Sequence, residues 1–259
     1  MVRHDAHREN ALRAANGRSR RRTFSGGWRW DWAKGVLVAV VLFVGVRTFV
    51  VDAYKIPSGS MERTLLAGDF VLVSTWGYRR VALPWSGGRV PAPRAPQAGD
   101  MVVFAWPSDP TTHFVKRVVG GPGDTLSMQG GTLWRNGVRL QERYVSHTEP
   151  QVDPMVDDFR WQRGYLTSTA LAADRVIGIP PIYRPSRDNW GPIVVPPEQL
   201  FVLGDNRDRS LDSRYWGFVP THLLRGTPLV VYFSVIPNRS EPASWLSRVR
   251  WDRLGSRVR

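Results

Sequence analysis

The 259-residue chain contains no cysteine. This absence excludes disulfide bonds, a thiol nucleophile and a zinc site with cysteine ligands. The chain also lacks the G-x-S-x-G elbow that carries the nucleophile of α/β-hydrolases, any internal repeat and any helix-turn-helix pattern. We also expect neither a cofactor nor a metal, and no nucleic acid as a partner.

Lysine is nearly absent from a chain that is otherwise strongly basic. The net charge is +14, yet only three of the 36 Lys and Arg residues are lysines, at positions 34, 55 and 116. Arginine stays charged in proteins, whereas a buried lysine can lose its proton. A lysine in such a sequence therefore indicates a role that arginine cannot fill. For Lys34 and Lys55 chance is the simpler explanation, because only Lys116 interrupts an apolar strand pattern.

The N-terminal region combines a basic tail with an apolar run. Residues 1–31 are polar and arginine-rich, which predicts a cytoplasmic tail. Residues 36–51 are mostly apolar, and extending them to 32–52 supplies the roughly 20 residues that a membrane-spanning helix needs. We predict a single transmembrane helix over 32–52, in the cell membrane, with the N-terminus cytoplasmic and the rest of the chain outside. A buried core helix and a cleaved signal peptide remain alternatives.

Beyond residue 53 the sequence alternates between short apolar runs and turn residues. Several runs have period two and helical periodicity is scarce, so the fold class is predicted to be mainly β with antiparallel sheets. Asn136-Gly137 predicts a type I′ hairpin between 132–135 and 138–140. Residues 238–259 form a basic C-terminal tail, for which a frayed end and an amphipathic helix on a membrane surface are both open. The clearest strand candidates are 70–74, 101–106, 113–119, 200–203 and 229–236.

Two segments contain candidate catalytic groups. In the segment Pro57-Ser58-Gly59-Ser60, the glycine permits a tight backbone conformation that exposes Ser60, although a linker would have a similar composition. In the run 114–119, strand alternation places Lys116 on the face of Phe114 and Val118, with Arg117 on the other face. Burial lowers the pKa of a lysine, and a neutral amine is a competent general base. The alternative is a lysine on an edge strand that points into water.

A third segment, residues 204–217, alternates acids with arginines. Such charges can pair into a rigid, hydrogen-bonded loop, while a solvated surface loop is the alternative. The spacing of Asp205, Asp208 and Asp212 does not match a calcium loop. The histidines have no evident partner pattern, although spacing alone does not exclude a Ser-His-Asp triad.

Together, in this order after one apolar run, the three segments resemble the bacterial type I signal peptidases. The matched stretches are 56–65 with 68–73, then 116–124 and 204–220. The resemblance implies an antiparallel-sheet catalytic domain (53–124 and 196–237) with an inserted β cap region (125–195), preceded by one N-terminal transmembrane helix. It also implies a membrane-bound serine endopeptidase that cuts exported preproteins after small residues at −1 and −3. The implied partners are preprotein signal peptides, the lipid bilayer and, by proximity, the secretion translocon.

The resemblance also implies residue roles. Ser60 would be the nucleophile and Lys116 its general base. Ser58 would help to form the oxyanion hole, and Ser210 would orient the lysine amine. The structural charge pairs would be Asp212 with Arg214 and Asp205 with Arg117. The substrate pocket would be lined by Ile56, Met61, Leu65, Val71, Phe114 and Val115.

The chain departs from the family pattern at three positions. The family usually has Pro where Arg63 lies, Leu where Gly121 lies and Asn where Arg209 lies, and none of these carries a catalytic role. Two other functions stay open from the sequence. One is a self-cleaving repressor that uses Ser-Lys chemistry, and the other is a non-catalytic membrane-tethered binding module.

Overall fold

The structure, a computed structural model, describes residues 27–49, 51–76, 94–149, 159–168, 170, 183–237 and 245–258. The chain divides into two compact units, Met1–Gly45 and Val46–Arg259. The second unit contains every strand that the structure describes and all the predicted site residues.

Helix α1 (Gly27–Phe49) covers most of the predicted transmembrane segment. Its apolar side chains between residues 36 and 43 are exposed. Among the residues that the structure describes, no helix combines the length and the apolar character needed to cross a bilayer. The helix ends before Asp52, because Val51 and Asp52 begin a strand whose backbone pairs with Ser74 and Val73.

The main sheet confirms the prediction of an antiparallel β fold. Seven strands lie side by side and an eighth pairs with one of them, and all strand pairings within this sheet are antiparallel. The order is β1 (Val51–Lys55), β2 (Asp69–Ser74), β11 (Leu224–Ser234), β3 (Met101–Trp106), β4 (Asp109–Gly120), β9 (Gln199–Leu203) and β10 (Val219–Pro220), and β12 (Ser256–Arg257) pairs with β11. Strand β11 therefore lies between β2 and β3, although both are far from it in sequence.

A second sheet has four strands in the order β7 (Val138–Arg139), β6 (Thr132–Arg135), β5 (Thr125–Gln129) and β8 (Trp190–Val194). The turn between β6 and β7 confirms the predicted hairpin, since Asn136 and Gly137 have φ values of 53° and 79°. Leu126 and Ile193 of this sheet pack against Phe201 of β9. These strands fall within the range assigned to the cap, whose limits stay a prediction.

Apolar side chains cover both faces of the central strands. On β3, Met101 and Val103 belong to one core cluster, whereas Val102 and Phe104 belong to another. This alternation explains why residues 101–105 are all buried. The cluster of Met101 and Val103 also includes Met61, which follows Ser60. The nucleophile candidate is thus attached directly to the core.

The C-terminal region is folded wherever the structure describes it. Two short 3₁₀ turns (Trp245–Arg248 and Trp251–Arg253) precede strand β12, which pairs with Val230 and Val231. The expectations of a frayed end and of an amphipathic helix are therefore wrong for residues 245–258. Composition did not reveal that one of the basic residues, Arg253, binds a buried carboxylate of the main sheet.

Candidate active site

The structure brings Ser60 and Lys116 together from segments 56 residues apart, with Nζ 2.7 Å from Oγ. Ser60 opens a tight turn in which the amide of Leu65 donates to the carbonyl of Met61. Lys116 lies on the central strand β4. Only 8% of Ser60 and 3% of Lys116 are exposed. The pair therefore lies between a turn and a rigid strand, largely shielded from water.

Burial lowers the pKa of Lys116 to about 8, because the ammonium has lost its hydration. The nearby charges act in both directions, since Asp212 raises this pKa and Arg214 lowers it. The ring of Phe114 lies 5.5 Å from Nζ on the same face of the strand. With a pKa near 8 a useful fraction of the amine is neutral at moderate pH, and a neutral amine has a lone pair for the Ser60 proton.

Ser58 lies beside the nucleophile candidate. Its hydroxyl donates to Ser60 Oγ at 3.5 Å, the outer limit for such a contact. The Ser58 side chain is exposed, whereas Ser60 is buried, and its role in an oxyanion hole stays a prediction.

The loop 204–214 packs directly behind Ser60. The amide of Asn206 donates to the Ser60 carbonyl at 3.1 Å. A side chain at Gly204 would not fit, because an added Cβ would lie 2.5 Å from that same carbonyl oxygen. Only glycine at position 204 allows this close approach of the two backbones.

A fully buried ion pair organises this loop. Arg214 donates to Asp212 through Nε at 2.8 Å and through Nη2 at 2.9 Å, and both side chains are completely buried. The amide of Gly204 also donates to Asp212. Burial alone would raise the pKa of Asp212, but the charge and hydrogen bonds of Arg214 hold it below its usual value. Asp212 therefore stays ionised close to Lys116.

A second buried ion pair lies on the opposite face of β4. Arg117 donates to Asp205 through Nε at 2.8 Å and Nη2 at 2.7 Å. Its guanidinium stacks 3.9 Å over the ring of Tyr144. The hydroxyl of Thr64 donates to Asp205 at 2.5 Å. Two neighbouring residues of one strand thus reach different parts of the site. Lys116 contacts the Ser60 hydroxyl, and Arg117 binds the charged loop.

Ser210 does not reach the lysine amine through a hydrogen bond. Its buried hydroxyl has no partner of standard hydrogen-bond geometry within the described part of the chain. It lies near enough to Asp212 to help lower the pKa of that carboxyl. Its assignment as the residue that orients Lys116 stays a prediction.

The six predicted pocket residues fall into two groups. Five of them share the core cluster of Met101 and Val103. Phe114 packs against the cluster of Val102 and Phe104, with its ring 6.3 Å from that of Phe104. Leu65 and Val71 are completely buried. Their contact with substrate stays a prediction. The five clustered residues are Ile56, Met61, Leu65, Val71 and Val115.

Sequence reasoning missed several groups that support the site. Thr64 and Asp69 lie inside the quoted motifs but were assigned no role. Glu142 and Tyr144 lie in the variable region, where no pattern marked them. Glu142 accepts from Arg207 at 2.7 Å and from the Tyr144 hydroxyl at 2.8 Å.

Comparison with known proteins gives the family. The family model described as signal peptidase, peptidase S26, matches residues 29–233. The chain belongs to this family. A probable signal peptidase I-2 of Synechocystis is 33% identical over 211 residues, which cover 79% of this chain and 73% of that protein. The signal peptidase I of Pseudomonas aeruginosa is 33% identical over 218 residues, with coverages of 79% and 72%.

A solved structure of signal peptidase I from Enterococcus faecalis aligns with 52% of this chain and 97% of its own, at 29% identity. Its TM-score of 0.33 is too low to add to the description of the fold. Family membership confirms the resemblance to type I signal peptidases and makes the chain a peptidase, a hydrolase of peptide bonds. The match includes both Ser60 and Lys116 and ends before the folded C-terminal residues 245–258.

Proposed function

We propose that the chain is a serine endopeptidase that removes N-terminal signal peptides from exported preproteins, with Ser60 as nucleophile and Lys116 as general base. The observation that carries the proposal is the 2.7 Å contact between Ser60 Oγ and a buried amine whose pKa is about 8. The names of the relatives, which are signal peptidases, support the substrate class.

The reaction proceeds through an acyl-enzyme. Ser60 Oγ attacks the carbonyl carbon of the scissile bond while its proton passes to the neutral amine of Lys116. The C–N bond then breaks, and the lysine returns that proton to the departing amine. Water attacks the resulting ester, gives one proton to Lys116 and releases the signal peptide as a carboxylic acid. The proton then returns to Ser60 Oγ, so both residues are regenerated.

The neighbouring groups have supporting roles in this proposal. The Ser58 hydroxyl and the Ser60 amide would stabilise the negative oxygen of the tetrahedral intermediate, an effect worth about 3–4 kcal/mol for one such donor in other enzymes. The two buried ion pairs hold the loop 204–214 against Ser60. The six pocket residues would select small side chains at −1 and −3. Ser210 would orient the lysine amine.

We also propose that helix α1 attaches the chain to the cell membrane, with the N-terminus cytoplasmic and the catalytic part extracytoplasmic. The support is the apolar run with its exposed side chains and the basic residues that precede it. The catalytic part would then meet preproteins near the translocon, at the bilayer surface. Carbonate extraction of membranes that contain the full chain tests this proposal. Recovery of the protein in the carbonate-soluble fraction would exclude stable insertion.

A cleavage assay tests the catalytic proposal. The full chain in detergent is incubated with a preprotein, and the variants are Ser60→Ala, Lys116→Ala and Lys116→Arg. Each should lose activity by on the order of 10⁴-fold, the arginine variant because arginine does not supply a neutral base. Lys55→Arg is the control, since Lys55 is exposed on the edge strand β1. Full activity in any of the three variants would disprove the mechanism, whereas absence of cleavage by the wild type would favour a binding module.

A further inference from the structure

The C-terminal segment, defined as residues 245–258, is fastened along strand β11 by its backbone. Arg250 N donates to Ser234 O at 3.0 Å, Gly255 N donates to Val231 O at 2.8 Å and Val258 N donates to Leu229 O at 3.0 Å. These bonds hold the segment at fixed register against the main sheet. They place two arginine side chains, Arg250 and Arg253, on the side of the sheet that carries the nucleophile turn.

Both arginines converge on Asp69, a completely buried carboxylate at the start of β2. Arg253 binds it with two donors, Nε at 3.0 Å and Nη2 at 2.6 Å, and Arg250 lies 3.8 Å away. Ser234 Oγ donates at 2.7 Å. Burial would raise the pKa of Asp69, but the hydrogen bonds of Arg253 and Ser234 hold it below its usual value. The carboxylate is therefore ionised, and the arginine pair compensates for its burial.

The same groups bind the end of the nucleophile turn, which we define as residues 60–67. Arg253 Nη2 donates to Thr64 O at 3.1 Å and Arg250 Nη1 to Ala67 O at 3.0 Å. The Leu66 amide donates to Asp69 at 2.8 Å. The two arginines thus supply hydrogen bonds to two backbone carbonyls at the end of the turn.

The other end of the turn is held by the charged loop. Asn206 N donates to Ser60 O at 3.1 Å, and Thr64 Oγ1 donates to Asp205 at 2.5 Å. The turn is thus fixed at both ends, at its start by the loop 204–206 and at its end by the C-terminal segment. Lys116, in contrast, lies on the central strand β4. The distance between Oγ and Nζ therefore depends on both attachments of the turn.

We propose that Arg253, assisted by Arg250, is a positioning residue for the nucleophile: the C-terminal segment locks the turn so that Ser60 Oγ stays within hydrogen-bond distance of the Lys116 amine. This inference rests on the proposed Ser60–Lys116 mechanism. Neither arginine touches the Ser60 hydroxyl. Loosening the turn should lower kcat, because a misplacement of about 1 Å can cost on the order of 100-fold in rate. It should leave the protonation of Lys116 unchanged.

Steady-state cleavage of a signal-peptide substrate by the full chain tests the proposal. For Arg253→Gln we expect kcat to fall roughly 10- to 100-fold, with KM within about twofold and the pH midpoint unchanged. Arg253→Lys should give an intermediate kcat, since an ammonium keeps the charge but not the two-point geometry. Arg257→Gln is the matched control, because it removes the same charge from an exposed position of the same segment, and it should retain the wild-type kcat.

If Arg253 only stabilised the fold, its replacement would lower the folded fraction but leave kcat per folded molecule unchanged. The folded fraction of each variant would be measured by circular dichroism at the assay temperature, and kcat expressed per folded molecule. An unchanged kcat in folded Arg253→Gln would overturn the proposal, and so would a shifted pH midpoint. If that variant does not fold, Arg250→Gln decides, because it keeps the Arg253–Asp69 pair and releases only the contact with Ala67 O and the weaker contacts of Arg250. In that case an unchanged kcat would again overturn the proposal.

A parallel Ser60→Ala arm separates this inference from the function it rests on. Cleavage by Ser60→Ala would mean that the proposed mechanism is wrong. An inactive Ser60→Ala together with a fully active Arg253→Gln would leave the mechanism intact and reject only the positioning role.

Discussion

Replacing Lys116 by methionine should abolish cleavage and, near neutral pH, make the protein more stable. Methionine has a similar volume and no charge. The charged lysine is 3% exposed, and its pKa falls from 10.5 when unfolded to about 8 when folded. One pKa unit corresponds to about 1.4 kcal/mol. Holding a charged Lys116 in the fold therefore costs about 3 kcal/mol at pH 7.

The sign of the pH dependence follows from proton uptake. Between pH 8 and 10.5 the unfolded chain keeps the lysine proton that the folded chain has lost, so the wild type gains stability as pH rises. The cost of Lys116 falls to under about 1 kcal/mol at pH 10. Loss of the hydrogen bond to Ser60 offsets about 1 kcal/mol at either pH. We expect Lys116→Met to be about 2 kcal/mol more stable than wild type at pH 7 and about equal at pH 10.

Denaturant unfolding of the full chain in detergent at pH 7 and pH 10 measures this difference. The control is Lys55→Met, because Lys55 is exposed on an edge strand, and its stability relative to wild type should not change with pH. If Lys116→Met is less stable than wild type at pH 7, or if its advantage is the same at both pH values, Lys116 does not have the lowered pKa on which the base role depends.

Three further predictions concern the pH profile, the packing behind the nucleophile and the second ion pair. The kcat/KM for cleavage should rise about tenfold per pH unit below pH 7 and level off above pH 9, and a midpoint above pH 10 would contradict the lowered pKa. Gly204→Ala should lower kcat and cost about 1–3 kcal/mol of stability, because the added Cβ would meet the Ser60 carbonyl. Gly121→Ala is the control and should change neither kcat nor stability, because no atom lies within 4 Å of its added Cβ. Asp205→Asn should lower the free energy of unfolding at pH 7 by about 3–5 kcal/mol, because it leaves Arg117 buried without its carboxylate, and a loss below about 1 kcal/mol would count against the pair.

Local patterns in the sequence were sufficient for much of the secondary structure. Short apolar runs bounded by turn residues predicted β2, β3 and β9 closely, because a strand that is covered on one or both faces needs apolar side chains there. Asn136-Gly137 predicted its hairpin, since both residues tolerate positive φ. The inward direction of Lys116 followed from strand alternation. The end of helix α1 was less accurate, because the apolar run continues to Val51, whereas in the structure Val51 and Asp52 pair with β2.

The sequence by itself determined the strands, the hairpin and, through the family motifs, the candidate residues Ser60 and Lys116. Only the tertiary structure decided which groups meet. Lys116 reaches Ser60 across 56 positions, Arg117 reaches Asp205 across 88 and Arg253 reaches Asp69 across 184. These contacts depend on the order and register of the strands, with β11 between β2 and β3. The burial that lowers the pKa of Lys116 arises in the same way, since desolvation depends on the side chains that the whole sheet packs around the amine.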